Sequence, residues 1–432
     1  MKVLIRKSND LCGEASVPPS KSHTIRAVLL SAFSEGTSEV YNPGKSLDCM
    51  SSVNVARQLG ADIKEVDGHY VIKGLGKDLK MPEAVLDAEN SATLLYFTTP
   101  VLAALDGCCV FTGDWTLRKR PIQELLTAMN DLGSHSYRTR ENVDGCPVVI
   151  HGKMKGGEVT LNGNLSQFVS GMLLAAPLLE GDTTLYSKHP LETPYVRMTI
   201  DWMRKHGVEV EYDEENFKWY KVKGGQSYKA AVDYVPGDWS GASFFLVLGA
   251  TSGKEIIINN LDYHDGHGDA AVVEVLRRMG ADIEIDDENK RVIVHGGKPL
   301  HGTEIDMADI PDSLPALVTA CALAKTDSKL TNIANIRFKE SDRVGCMQEE
   351  MAKFGVKVEV NDAENYMIVH GGTTPVATEI NTHGDHRIAM AMALAALQSE
   401  GEALIENAEV ASVSFPGFFE TLKALGADIT IE

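Results

Sequence analysis

An α/β fold of six similar units, grouped as two domains of three, is what this sequence predicts. The grounds are a recurring helix–glycine–strand phrase, a second recurring phrase that opens an apolar helix, and a length of 432 residues. That length exceeds one ordinary hydrophobic core and suits two domains of about 200 residues each. A hydrophobic fraction of 44% and a charged fraction of 24% belong to a folded globular chain, neither disordered nor fibrous.

The first phrase is a helix tail, a glycine and a short alternating strand. It reads Arg57-Gln58-Leu59-Gly60-Ala61-Asp62-Ile63, recurs near Leu132-Gly133, and then reads Lys205-His206-Gly207-Val208-Glu209-Val210. Later copies are Arg278-Met279-Gly280-Ala281-Asp282-Ile283, Lys353-Phe354-Gly355-Val356-Lys357-Val358 and Ala424-Leu425-Gly426-Ala427-Asp428-Ile429. Between Gly60 and Gly426 the successive glycines lie 71 to 75 residues apart. Glycine at such a point ends a helix in the left-handed conformation before a strand begins. The second phrase is a small polar cluster followed by an apolar helix. Its copies open at Ser20-Lys21-Ser22, Asn90-Ser91-Ala92-Thr93, Leu165-Ser166-Gln167, Gly237-Asp238-Trp239-Ser240, Pro311-Asp312-Ser313 and Gly384-Asp385-His386-Arg387. The helices behind them, such as 168–179, 244–250, 317–324 and 388–397, are apolar on nearly every side and are expected to be buried. The midpoint between the two groups of three falls near Pro236-Gly237.

Forty-one Lys and Arg against 61 Asp and Glu leave a net charge of −20, which argues against nucleic acid and anionic membranes as partners. Basic residues nevertheless collect at the helix starts: Lys21 and Arg26, Arg120 before Pro121, Lys339 and Arg343, and Arg387. Helix N-termini carry free N–H donors and partial positive charge. Any one polar cluster is an ordinary N-cap, and a cation beside a carboxylate is more often a structural ion pair. The concentration of cations in so acidic a chain favours a small, multiply charged anion. Acidic partners lie close by in Asp312, Glu340, Asp342 and Asp385. The seven cysteines are scattered without metal-finger spacing, which suits a reducing compartment. Met1 to Lys7 is interrupted by charge, and no apolar run reaches about 18 residues. The expectation is a cytoplasmic protein.

Several segments resemble, in order along the entire chain, the motifs of the 5-enolpyruvylshikimate-3-phosphate synthases, members of the enolpyruvyl transferase family. They are Val17-Pro18-Pro19-Ser20-Lys21-Ser22-His23-Thr24-Ile25-Arg26-Ala27, Arg120-Pro121-Ile122, Ser166-Gln167-Phe168 and Ile310-Pro311-Asp312. The set continues with Asn335-Ile336-Arg337-Phe338-Lys339-Glu340-Ser341-Asp342-Arg343, Asp385-His386-Arg387-Ile388-Ala389-Met390 and Phe415-Pro416-Gly417-Phe418-Phe419. The resemblance implies two domains, each of three similar α/β units with buried parallel helices and outer sheets. Residues 19–236 would form one domain, residues 1–18 with 237–432 the other, and the active site would lie in the cleft between them.

The reaction implied is transfer of the enolpyruvyl group of phosphoenolpyruvate to the 5-hydroxyl of shikimate 3-phosphate, with loss of phosphate. By the same resemblance Asp312 is the base on the hydroxyl and Glu340 the acid at carbon, with Lys21 standing between the substrates. Lys21, Ser22, Arg26, Ser166, Gln167, Asp312, Asn335 and Lys339 would hold shikimate 3-phosphate. Lys21, Asn90, Ala92, Arg120, Gln167, Arg343 and Arg387 would hold phosphoenolpyruvate. No metal or organic cofactor is implied, and the resemblance speaks for a monomer.

The chain departs from the family pattern at named positions. Ala92 replaces a glycine near phosphoenolpyruvate, Tyr96 an arginine, Leu165 one serine of a phosphate-binding pair, Glu192 or Thr193 another such serine, and Val413 a lysine. The rivals are a transferase on another hydroxyl acceptor, such as the UDP-N-acetylglucosamine enzyme, and an inactive anion-binding homologue. Against the first stands the lack of a cysteine in Asp114-Trp115-Thr116-Leu117-Arg118-Lys119-Arg120-Pro121. A relative acting on RNA 3′-phosphates is disfavoured by the negative charge. His264, His267 and Asp269 resemble a metal site but read more simply as a loop that ends in a helix cap. His386 is expected to orient its helix start. Trp115, Trp202, Trp219 and Trp239 are expected to be packed in a core or against a domain face.

Overall fold

In the computed structural model, which describes residues 1–8 and 10–432 and only the backbone of Lys77, the six recurring glycines all have positive φ. Gly60, Gly133, Gly207, Gly280, Gly355 and Gly426 stand at 108°, 98°, 81°, 106°, 77° and 99°. L side chains rarely adopt that region, so each glycine stops a helix and turns the chain into a strand.

The chain divides into a contiguous unit, Pro19–Pro236, and a discontinuous unit, Met1–Pro18 with Gly237–Glu432. The contiguous unit carries α1 (Lys21–Phe33), α2 (Leu47–Gln58), α3 (Ala92–Ala103), α4 (Gln123–Asp131), α5 (Ser166–Ala175) and α6 (Thr193–Lys205). The discontinuous unit carries α7 (Trp239–Thr251), α8 (Val272–Arg278), α9 (Leu314–Ala322), α10 (Arg343–Lys353), α11 (His386–Leu397) and α12 (Phe418–Ala424). Odd-numbered helices are the apolar ones. Every residue of α9 and α11 is buried, and in α5 only Gln167 is not. Even-numbered helices bury one face, as α4 does with Leu125, Leu126, Ala128 and Met129. Helices α1, α3 and α5 pack together in one unit, and α7, α9 and α11 in the other.

Among the described residues there are six four-stranded sheets, each with one parallel and two antiparallel pairings. Lys2–Arg6 lies between Glu402–Glu406 and Ile429–Ile431, antiparallel to both. Gly13–Ser16 runs parallel to Ile256–Asn259. The chain start thus completes two sheets of the discontinuous unit.

The polar clusters do cap helices. Ser20 Oγ accepts from the His23 N–H at 3.4 Å, Ser91 Oγ from Leu94 N–H at 3.4 Å, Asp238 from Gly241 N–H at 3.0 Å and Asp385 from Arg387 N–H at 2.9 Å. Helices α5 and α9 start with no side-chain cap. Phe415, Phe418 and Phe419 are core residues, with Phe415 and Phe418 rings 5.4 and 5.6 Å from Phe245.

Two tryptophan expectations need correction. Trp202 and Trp239 are buried, but Trp115 and Trp219 are 56% and 39% exposed. Trp219 alternates with the inward Tyr220 and Val222 in its strand, so the pleat turns it outward. Trp115 stacks under Lys119, whose Nζ lies 4.9 Å from the ring centre.

Close helix packing supplies a stability test. A methyl at Gly171 of α5 would sit 2.2 Å from the carbonyl oxygen of Tyr96 in α3. Gly171→Ala is expected to destabilise the contiguous unit by about 1–3 kcal/mol, read by urea unfolding.

Candidate active site

Four chain segments of the discontinuous unit converge on one guanidinium. Pro311 opens a single 3₁₀ turn, Pro311–Ser313, that runs into α9 and carries Asp312. A second 3₁₀ turn, Ala334–Phe338, holds the buried Asn335 and presents Lys339 and Glu340 just after its end. Asp342 accepts from the Gly345 N–H at 3.0 Å and so starts α10 at Arg343. Asp385 and Arg387 open α11.

Arg343 is fully buried and holds three carboxylates. Its Nη1 donates to Asp312 Oδ1 at 2.8 Å, its Nη2 to Glu340 Oε2 at 2.5 Å, and its Nε to Asp385 Oδ2 at 2.9 Å. Arg387 Nη2 lies 3.4 Å from Asp312 Oδ2, and its Nη1 donates to the Asp312 carbonyl at 2.9 Å. Lys339 Nζ lies 3.9 Å from Asp312 Oδ1. Ser341 Oγ donates to Asp385 at 2.9 Å, and Arg387 Nε to His386 Nε2 at 3.3 Å, which gives His386 the orienting place expected of it.

Burial pushes the Asp312 carboxyl up, but Arg387, Lys339 and Arg343 together outweigh it and hold the group well below the usual carboxylate range. Asp385 is likewise raised by burial and lowered further by Arg343, ending below its ordinary value. For Arg343, burial disfavours the charge, and Asp385, Glu340 and Asp312 more than restore it. Three cations and three carboxylates therefore balance in this cluster. Beside it lies the fully buried Asp269, which accepts from Ser240 Oγ at 2.5 Å and whose carboxyl is pushed up by burial. His267 caps its own turn by accepting from the Asp269 N–H at 3.2 Å. His264 is exposed and pairs with Asp287. The capping interpretation of that loop therefore fits the contacts.

The contiguous unit holds a second polar cluster at the starts of α1, α3 and α5. Lys21 Nζ lies 3.1 Å from Asp48 Oδ2, while Ser22 follows it in the first turn of α1. Arg26 is buried and turned inward. Its Nε donates to Thr199 Oγ1 at 2.9 Å, Nη1 to the Ser22 carbonyl at 2.9 Å and Nη2 to the Tyr195 carbonyl at 3.0 Å. Burial lowers this guanidinium to about 9, the signature of a cation without enough local negative charge. Asn90 Nδ2 donates to Asp114 at 2.9 Å and Thr116 at 2.6 Å. Ala92 is the buried first residue of α3, Gln167 Nε2 donates to Thr93 Oγ1 at 2.8 Å, and Arg120 is buried just before Pro121. Ser166 opens α5, and its hydroxyl donates to Glu192 Oε2 at 2.6 Å.

A model of the EPSP synthase family (3-phosphoshikimate 1-carboxyvinyltransferase) matches residues 5–422. The chain belongs to the EPSP synthase family. It is 40% identical over 430 residues to a 3-phosphoshikimate 1-carboxyvinyltransferase of Acetivibrio thermocellus, covering 100% of this chain and 99% of that protein. A relative of the same name from Methanocella arvoryzae is 37% identical over 98% of each chain. The EPSP synthase of Acinetobacter baumannii superposes with a TM-score of 0.83 at 28% identity, covering 100% of this chain and 99% of that one. The enolpyruvyl transferase NikO from Streptomyces tendae shares the fold, with a TM-score of 0.80 at 20% identity over 99% and 98% of the chains.

Within this EPSP synthase family member the departing positions now have surroundings. Tyr96 donates its hydroxyl to the Pro121 carbonyl at 2.8 Å, next to Arg120, and packs edge-on to Phe168. Val413 is buried at the end of the 3₁₀ segment Ala408–Val413. Sequence reasoning missed the Lys21–Asp48 and Ser166–Glu192 pairs. It named Asp385 as acidic but did not assign it to Arg343. The one available signal was charge: Asp48 and Glu192 are acidic residues at the starts of α2 and α6.

Proposed function

We propose that this chain is a 3-phosphoshikimate 1-carboxyvinyltransferase. It transfers the enolpyruvyl group of phosphoenolpyruvate to the 5-hydroxyl of shikimate 3-phosphate and releases phosphate, within the shikimate pathway towards chorismate. The observation that carries this reading is the single Arg343 guanidinium shared by Asp312 and Glu340, with Lys339 and Arg387 beside them.

The chemistry asks for two proton movements. Asp312 takes the proton of the 5-hydroxyl as its oxygen adds to carbon 2 of phosphoenolpyruvate, and Glu340 protonates the methylene carbon. Phosphate then leaves carbon 2, and the methyl gives a proton back as the double bond reforms. Arg120, Arg343 and Arg387 hold phosphoenolpyruvate. Lys21, Ser22, Arg26 and Ser166 hold the acceptor phosphate. Asn335, Lys339 and Gln167 complete the contacts. The enzyme works as a cytoplasmic monomer. No helix among the described residues is long and apolar enough to cross a membrane.

The test is release of inorganic phosphate from phosphoenolpyruvate and shikimate 3-phosphate, with Asp312→Ala and Glu340→Ala as controls. Turnover by the unaltered protein that both variants lose supports reaction and roles together. A folded protein without turnover sinks the reading. The Ala92 methyl also crowds a bulkier competitor at the phosphoenolpyruvate position, so inhibition by glyphosate is expected to be weak and to strengthen in Ala92→Gly. Potent inhibition of the unaltered enzyme contradicts this.

A further inference from the structure

We propose that Glu192 is a specificity-determining residue, whose carboxylate stands in for the acceptor's phosphate at the start of α5 and must be displaced when that phosphate binds. The inference rests on the proposed function, which places the phosphate on Ser166.

Ser166 offers two donors there, its hydroxyl and its N–H, at a helix start without a side-chain cap. Both point at one oxygen of Glu192: the hydroxyl donates at 2.6 Å and the N–H at 3.4 Å. Glu192 is only 2% exposed. Its backbone has φ 55° and ψ 36°, in the left-handed region that side chains other than glycine, asparagine and aspartate seldom enter. Although it precedes α6, it does not cap that helix with its side chain. The buried Glu192 carboxylate therefore accepts from both donors of Ser166, the first residue of α5, instead of capping its own helix. A carboxylate matches one edge of a phosphate in charge and in oxygen spacing. An incoming phosphate meets either an occupied site or a like charge beside it.

Two isolated changes test this. Glu192→Gln keeps shape and still accepts from Ser166, while Glu192→Ser shortens the side chain to a hydroxyl. Both are expected to lower KM for shikimate 3-phosphate by about tenfold, with KM for phosphoenolpyruvate moving much less. Calorimetric titration with inorganic phosphate alone is expected to show correspondingly tighter binding in both variants than in the unaltered protein. Unchanged or weaker phosphate binding in folded variants overturns the role given to Glu192. Absence of turnover in all three proteins overturns the proposed function instead, and the phosphate titration still decides the case of Glu192.

Discussion

Asp312→Ala is expected to lower kcat by about 10²- to 10⁴-fold, the usual contribution of a positioned base. The loss should be as large in Asp312→Asn, which keeps the outline of the side chain and discards its charge. Within its cluster Asp312 has little proton affinity, because Arg387, Lys339 and Arg343 outweigh the effect of its burial. A base works best with a pKa near the operating pH. On the proposed roles, anionic substrate groups that draw Arg343 and Arg387 towards themselves would relieve Asp312 of two cations and raise its proton affinity as a hydroxyl arrives. Phosphate release under saturating substrates measures the effect. Either variant retaining kcat within tenfold of the unaltered enzyme, with unchanged circular dichroism, removes Asp312 from the role of base.

Arg343→Met should destabilise the discontinuous unit by about 3–5 kcal/mol, since it leaves buried carboxylates without their counter-charge. Asp312, Glu340 and Asp385 all lean on this one side chain. The expected pH dependence has a definite sign. Asp312 and Asp385 have folded values below their ordinary 3.8, so the ion pairs stabilise the unaltered protein above that pH and lose their effect as pH falls through the folded values. In Arg343→Met the same carboxylates gain from protonation, so the stability gap between the two proteins should narrow below about pH 4. Denaturant unfolding at pH 7 and in the acid range measures both parts. A variant as stable as the unaltered protein at pH 7 contradicts the hub role of Arg343.

The architecture was legible because local chemistry and tertiary structure agree. Gly60 and its counterparts are glycine because the backbone there takes positive φ, and the helices that begin at Ser91 and Asp385 advertise both their caps and their burial. The site residues were legible one by one from motifs. Their pairing was not. Ser166 and Glu192 are separated by a helix and a strand, and Arg343 reaches Asp385 across 42 residues of chain. Such long-range contacts leave no period in a sequence. The outward turn of Trp115 and Trp219 was hidden for a related reason, since aromatic size predicts burial on average and only strand register or a local cation decides the individual ring.

The strand Lys2–Arg6, set between Glu402–Glu406 and Ile429–Ile431, also orders events in time. Its two neighbours lie about 400 residues further along the sequence, so they are synthesised long after it. Pro19–Pro236, by contrast, draws its core from one contiguous stretch of sequence. At about 5–20 residues per second, the opening strand waits about 20–85 s before its second neighbour exists. Until then its apolar face, Val3 and Ile5, has no permanent cover. Lys2–Arg6 therefore stays without its sheet through most of the synthesis of the discontinuous unit.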